Sequence, residues 1–227
     1  MVSQETVLNR GIPGNTSYDL LFRLESDVLS ESPDLVLVMV GTNDMLNSSK
    51  MLSYEDYSEN LSGIVRRLKH EGIEILLLSP PTVDTAYLFE RHDRSLFPVN
   101  PDQKLDTVAR IMEDISRREN IGFLDINGTF RDLSLPRHNS DELIQNEKNS
   151  GRRDGVHLTG KGYSFIAEQI FGYLNKTGSL KQGMKIVCFG DSLTYGSNVK
   201  GSGTSTGVTY PARLSAMIHE FFDSNKK

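Results

Sequence analysis

Residues 35–40 read LVLVMV, six apolar residues without a polar interruption, preceded by Pro33-Asp34 and followed by Gly41. A run this short and this apolar reads as a strand buried on both faces, the setting of a parallel sheet covered by helices. Similar runs lie at 73–78 (IEILLL, stopped by Ser79-Pro80-Pro81), 121–126 (IGFLDI) and 185–189 (KIVCF), with a shorter one at Thr6-Val7-Leu8. Between them stand stretches with helical spacing. Residues 17–29 carry Leu20, Leu21, Leu24 and Val28, and 54–69 carry Tyr57, Leu61, Ile64, Val65 and Leu68. The same period recurs at 105–118, 163–174 and 210–222. Strand–helix alternation of this kind predicts a doubly wound α/β sheet with ligand sites at the carboxyl ends of its strands. The connections 80–104 and 128–153 are long and polar, a frequent mark of functional loops.

A chain of 227 residues fits one α/β domain large enough to bury its own core. Net charge is −5, with Lys and Arg scattered, which argues against a nucleic-acid partner. No apolar run approaches the ~20 residues of a membrane helix. The residues Met1-Val2-Ser3-Gln4-Glu5 lack the charged and apolar regions of a signal peptide, so the chain as written is expected in the cytoplasm. Cys188 is the single cysteine; it excludes an internal disulfide and reads as a small buried hydrophobe. Oligomeric state is left open.

Four segments place reactive residues where strands should end. Phe189 is followed by Gly190-Asp191-Ser192, Val40 by Gly41-Thr42-Asn43-Asp44, and Leu8 by the 9–15 segment NRGIPGN. Asp154-Gly155-Val156-His157 precedes a helix starting near Gly160. Ester hydrolysis needs these residue types. A serine hydroxyl needs a base to take its proton. His157 can serve through one ring nitrogen, while Asp154, three residues earlier, fixes the other. The developing oxyanion needs donors, and the N–H of Ser192, the turn at Gly14 and the amide of Asn43 would converge on one sheet edge. Each segment alone is weak: Gly-Asp-Ser is commonly a turn or cap, and Asp-x-x-His a surface turn. Their joint placement is what carries the reading.

The four blocks GDSLTYG (190–196), NRGIPGNTS (9–17), GTND (41–44) and DGVHLTGKGY (154–163) resemble those of the GDSL, or SGNH, hydrolases over nearly the whole chain. The resemblance implies a three-layer α/β/α, flavodoxin-like sandwich with a five-stranded parallel sheet. It also implies a serine esterase without a cofactor, acting on small-molecule esters: short acyl esters, lysophospholipids or acetylated carbohydrates. By the same resemblance Ser192 is the nucleophile, His157 its base and Asp154 the partner of His157. Ser192, Gly14 and Asn43 form the oxyanion hole.

The order departs from the family, because the nucleophile block comes last. The chain therefore reads as one SGNH-hydrolase domain, 1–227, circularly permuted. Met184 stands as a former start, 177–183 (TGSLKQG) as the linker joining the original termini, and Met1 and Lys227 as new ends. Seven linker residues reach at most ~25 Å. Parallel strands all start on one edge, so the old ends should be close and the catalytic edge undisturbed.

Rival readings remain open at this point. Thr204-Ser205-Thr206-Gly207-Val208-Thr209 has the spacing of a flavodoxin phosphate loop, the mark of an FMN-binding protein, although it follows the strand by about fifteen residues. A non-catalytic binding module on the same fold is a second alternative. Gly155 to Lys161 has the Gly-x-x-x-x-Gly-Lys spacing of a nucleotide loop, but Gly162 replaces its Ser or Thr. His157, Asp154 and Asp191 are conceivable metal ligands, but no second His accompanies them, and no metal is expected. His70 and His219 should be solvated, whereas His92 and His138 lie in the long loops. Tyr87, Leu88, Phe89, Leu96 and Phe97 are candidates to line an acyl pocket. Arg91, Arg94, Arg131 and Arg137 would instead suit an anionic or carbohydrate substrate.

Overall fold

Five strands pair in the order β1-β5-β2-β3-β4, every pair parallel. The computed structural model describes residues 6–224. The signal-peptide reading of residues 1–5 and the proposed new end at Lys227 fall outside the described residues. In chain order the elements are β1 (Thr6–Gly11), α1 (Ser17–Asp27), β2 (Leu35–Met39), α2 (Thr42–Leu46), α3 (Tyr54–His70), β3 (Glu74–Leu78) and α4 (Thr85–Leu88). There follow α5 (Pro101–Glu119), β4 (Gly122–Leu124), α6 (Ile126–Asp132), α7 (Glu147–Ser150), α8 (Gly160–Thr177), β5 (Lys185–Gly190), α9 (Ser192–Tyr195) and α10 (Tyr210–Ser224).

The architecture is the three-layer α/β/α sandwich expected. Alternate strand residues feed two cores. Val36, Val38, Ile75, Leu77, Val187 and Phe189 pack against α1, α2, α3 and α5. Leu35, Leu37, Met39, Leu76, Ile186 and Cys188 pack against α6, α8, α9 and α10. All five residues of β2 are buried, which is why its sequence shows no alternation. Cys188 is fully buried in the second core, and that burial pushes its thiol up, out of the reactive range.

Three boundaries differ from the sequence expectation. β1 runs on to Gly11, because Asn9, Arg10 and Gly11 pair with Cys188, Phe189 and Gly190. β4 stops at Leu124, since the Asp125 side chain accepts from the Gly128 N–H and starts α6. Helix α8 continues through Thr177 and ends on Gly178, whose φ of 71° is a left-handed cap; the link to β5 is thus 178–184, shifted by one residue from the linker expected.

Register sets the site. Gly190 pairs with Gly11 on one side and Met39 on the other, so three strands end level. From that line emerge the turns carrying Gly14, Ser192 and Asn43. Crowding there explains two glycines. A Cβ on Gly11 would lie 2.1 Å from the backbone nitrogen of Tyr195, and one on Gly190 2.4 Å from the Met39 carbonyl oxygen.

Candidate active site

Ser192 is the first residue of α9, directly after β5, and is 8% exposed. Asp191 caps that turn: one carboxylate oxygen accepts the Leu193 N–H at 2.8 Å. The other accepts from Asn43 Nδ2 at 3.2 Å. Burial pushes Asp191 up to about 7, against the pull of the Leu193 N–H. Asp44, also fully buried, is pushed up by burial as well; one oxygen accepts the Ser17 N–H at 2.8 Å, and Asp44 thereby holds the start of α1.

Asn43 is the second residue of the short helix α2. Its amide nitrogen also donates to the backbone carbonyl of Asn15 at 3.1 Å, so it is clamped between the β1 turn and the β5 turn. Gly14 sits in that β1 turn with φ 79°, and its carbonyl accepts from Lys50 at 2.9 Å.

His157 stands at the end of a turn built by Asp154. Nδ1 of His157 lies 2.9 Å from Asp154 Oδ2 and 3.0 Å from Oδ1. Asp154 Oδ1 also accepts the N–H groups of Val156 at 2.9 Å and His157 at 2.8 Å. Burial alone would raise this carboxyl, but its bonds and charge interaction with His157 and the backbone donors outweigh burial and hold it at about 2. The turn is braced from outside. Gln145 donates its N–H to the His157 carbonyl at 2.8 Å, and Asp84 donates its N–H to the Gly155 carbonyl at 2.7 Å. Neither brace was marked by sequence, because both act through backbone groups far along the chain.

Ser192, His157 and Asn43 line one cavity of about 130 Å³, with Leu88, Arg91, His92 and Val156 among its other walls. Gly14 is not part of that wall; it is tied to it through its neighbour Asn15. Among the described residues no hydrogen bond joins Ser192 to His157. Such bonds are often long before substrate binds.

The long loops contribute less than their sequence offered. Of the five apolar candidates only Leu88 lines the cavity; Tyr87 and Phe97 are buried and Leu96 is exposed. Of the arginines only Arg91 does. Arg94 stacks on Phe89, Arg131 pairs with Asp106 at 2.6 Å, and Arg137 donates to the Leu133 carbonyl. His92 lines the cavity and lies 2.9 Å from Ser48 Oγ, and burial, then the nearby Arg91, lowers its pKa. His138 lies 2.8 Å from Asp84 and stacks on Tyr87; His70 is exposed and His219 half-buried. The segment 204–209 folds on itself: the hydroxyls of Thr204 and Thr209 donate to carbonyls of the same loop. It follows α9 rather than a strand, unlike a phosphate loop. Gly155 is packed against Asp84, where a Cβ would meet backbone at 2.8 Å. Among the described residues, no three His, Cys, Asp or Glu side chains are grouped to hold a metal ion. No described helix is long and apolar enough to cross a membrane.

Residues 2–165 match the GDSL-like Lipase/Acylhydrolase family. The chain is 28% identical over 177 residues to the uncharacterized lipoprotein YqeF of Bacillus subtilis, covering 72% of this chain and 71% of that one. It is 28% identical over 134 residues to an acetylxylan esterase of Geobacillus stearothermophilus, covering 56% of this chain and 57% of that esterase's length. Among solved structures, an acetyl xylan esterase, AlAXEase, shares the fold with a TM-score of 0.57 at 24% identity, over 72% of this chain and 78% of that one.

Proposed function

The chain belongs to the GDSL-like lipase/acylhydrolase family and is a carboxylic ester hydrolase; from that premise we propose that Ser192, His157 and Asp154 form its triad and that it removes acetyl-sized groups from carbohydrates. The observation that carries this reading is the single cavity shared by Ser192, His157 and Asn43.

In the proposed reaction, His157 takes the Ser192 hydroxyl proton through Nε2 while Asp154 holds Nδ1–H. Ser192 Oγ attacks the ester carbonyl, and the oxyanion is received by the N–H groups of Ser192 and Gly14 and by the Asn43 amide. His157 then gives its proton to the leaving alcohol, and the acyl-enzyme forms. Water, deprotonated by His157, attacks that ester and releases the acid and free serine. Asn43 exchanges the longer of its two bonds, that to Asp191, for the oxyanion.

Size and polarity support a small acyl group. At about 130 Å³ the cavity is close to the ~150 Å³ of an apolar void that holds one benzene, and well below the roughly 300–1,000 Å³ of sites for larger ligands. Its walls include Asn43, Asn47, Arg91 and His92, donors suited to the hydroxyls of a sugar leaving group. The acetylxylan esterases among the relatives point the same way.

The test is a panel of esters from acetyl to decanoyl, with acetylated sugars, on the wild type and Ser192→Ala. Ser192→Ala should lose ester hydrolysis with an unchanged thermal melt; full activity would overturn the triad. A rate that rises with chain length would overturn the acetyl preference.

The same premise supports a circular permutation. The family match stops at residue 165, ahead of the nucleophile block. Yet β5, last in sequence, lies between β1 and β2, and the Thr6 N–H bonds to the carbonyl of Met184. We propose that 1–227 is one such domain, with the segment after α8 joining its former termini.

A further inference from the structure

Arg23, on the buried side of α1, has no part in the reaction just described, yet its side chain is only 11% exposed. A guanidinium this sheltered must be paired at each donor it hides. Its bonds reach three separate segments. Nε donates to Asn15 Oδ1 at 2.6 Å, one terminal nitrogen to the Gly190 carbonyl at 2.8 Å, and the other to Asp27 at 2.7 Å. Its carbon centre lies 4.4 Å from the Phe189 ring centroid. Two of these partners belong to the site. Asn15 holds Asn43 through its backbone carbonyl, and Gly190 directly precedes Asp191, which holds Asn43 from the other side. Gly190 also receives the Ile12 N–H at 3.1 Å, so its carbonyl is fixed from two directions.

A planar, rigid fork can set the distance between two segments, which a flexible ammonium cannot. We infer that Arg23 is a positioning residue for ester hydrolysis: it fixes the β1 turn against the nucleophile turn, so that Asn43, clamped between Asn15 and Asp191, presents its amide to the oxyanion. Arg23 touches no substrate and acts through Asn43. The inference rests on the reading of Ser192 as nucleophile.

The experiment measures kcat and KM on an acetyl ester, with melts, for Arg23→Lys, Arg23→Ala, Asp27→Ala, Asn43→Ala and the Arg23→Ala/Asn43→Ala pair. Ser192→Ala serves as blank. Arg23→Lys should lower kcat by about 10-fold or more with KM within about twofold, the pattern of a contact felt in the transition state. Asp27→Ala loosens the ion pair and leaves the bonds to Asn15 and Gly190, so kcat should stay within about twofold even where the melt falls. If Arg23 works through Asn43, the pair should cost little more than Asn43→Ala alone. Wild-type kcat in Arg23→Lys, or costs that simply multiply in the pair, would overturn the inference. Should Arg23→Ala fail to fold, Arg23→Lys with and without Asn43→Ala decides. An active Ser192→Ala brings down the nucleophile reading and this inference together. A dead Ser192→Ala beside a fully active Arg23→Lys brings down the inference alone.

Discussion

Asp154 and Asp191 stand beside His157 and Ser192, and their surroundings drive them in opposite directions. Asp154 is held at about 2, below the 3.8 of a free side chain. It therefore stabilises the fold above pH 3.8, and that contribution is lost as pH falls through about 2. Asp191 is raised to about 7 by burial. Its folded form favours the proton, so stability declines as pH rises from about 4 and levels off above about 7. Urea melts at pH 5 and pH 8 check this: Asp191→Asn should narrow the wild-type difference, and an unchanged difference would refute the assignment. Asn43→Ala should cost on the order of 10²–10³ in kcat, as loss of one oxyanion donor does; steady-state kinetics reads it. The residues placed around this site were legible because each follows a strand: Ser192 after β5, Asn43 after β2, and Gly14 after β1. His157 was legible through the Asp154 spacing. Arg23 was not, since on paper it is one polar residue on a helix, and its partner Gly190 lies 167 positions away.

At the scale of elements, apolar runs identified every strand, and mistakes gathered at strand ends. Asn9 looks like a loop residue, yet its Oδ1 accepts the Gly11 N–H and its amide donates to the Thr204 carbonyl. It thus extends β1 and ties down the loop after α9. Tertiary contacts of this kind leave no local signal. Long amphipathic helices were equally readable; α5 begins earlier than its apolar period because Asn100 caps it and Pro101 occupies its first turn. The passage of β1 beneath α9 gives a sharp test. Gly11→Ala places a methyl 2.1 Å from the Tyr195 nitrogen, where backbone must move. Overpacking of this kind costs about 1–3 kcal/mol, and a denaturant melt should record it. Esterase activity should fall too, because the displaced helix begins with Ser192.

For the molecule as a whole, chain order and spatial order disagree, and the disagreement is informative. Linear reading recovered the sandwich and its five parallel strands, because short apolar runs alternating with helical periods allow little else. It could not size the cavity, whose walls come from short helices and loops of four separate stretches of chain brought together by burial rather than by pattern. A chain reopened between Gly178 and Met184, with its present ends joined by a Gly/Ser linker, should recover the same melt and the same kcat; circular dichroism and an ester assay measure both. The position of β5 also bears on how the protein is made. Thr6 pairs with Lys185, so a ribosome that has already released β1 and β2 must also release β3, β4, α8 and β5 before the middle of the sheet can exist. Until then β1 and β2 each present an open edge to the cell, the surface on which nascent chains stick to one another. Assembly of the sheet is thereby tied to the emergence of β5, the strand that joins β1 to β2 and leads directly into Ser192.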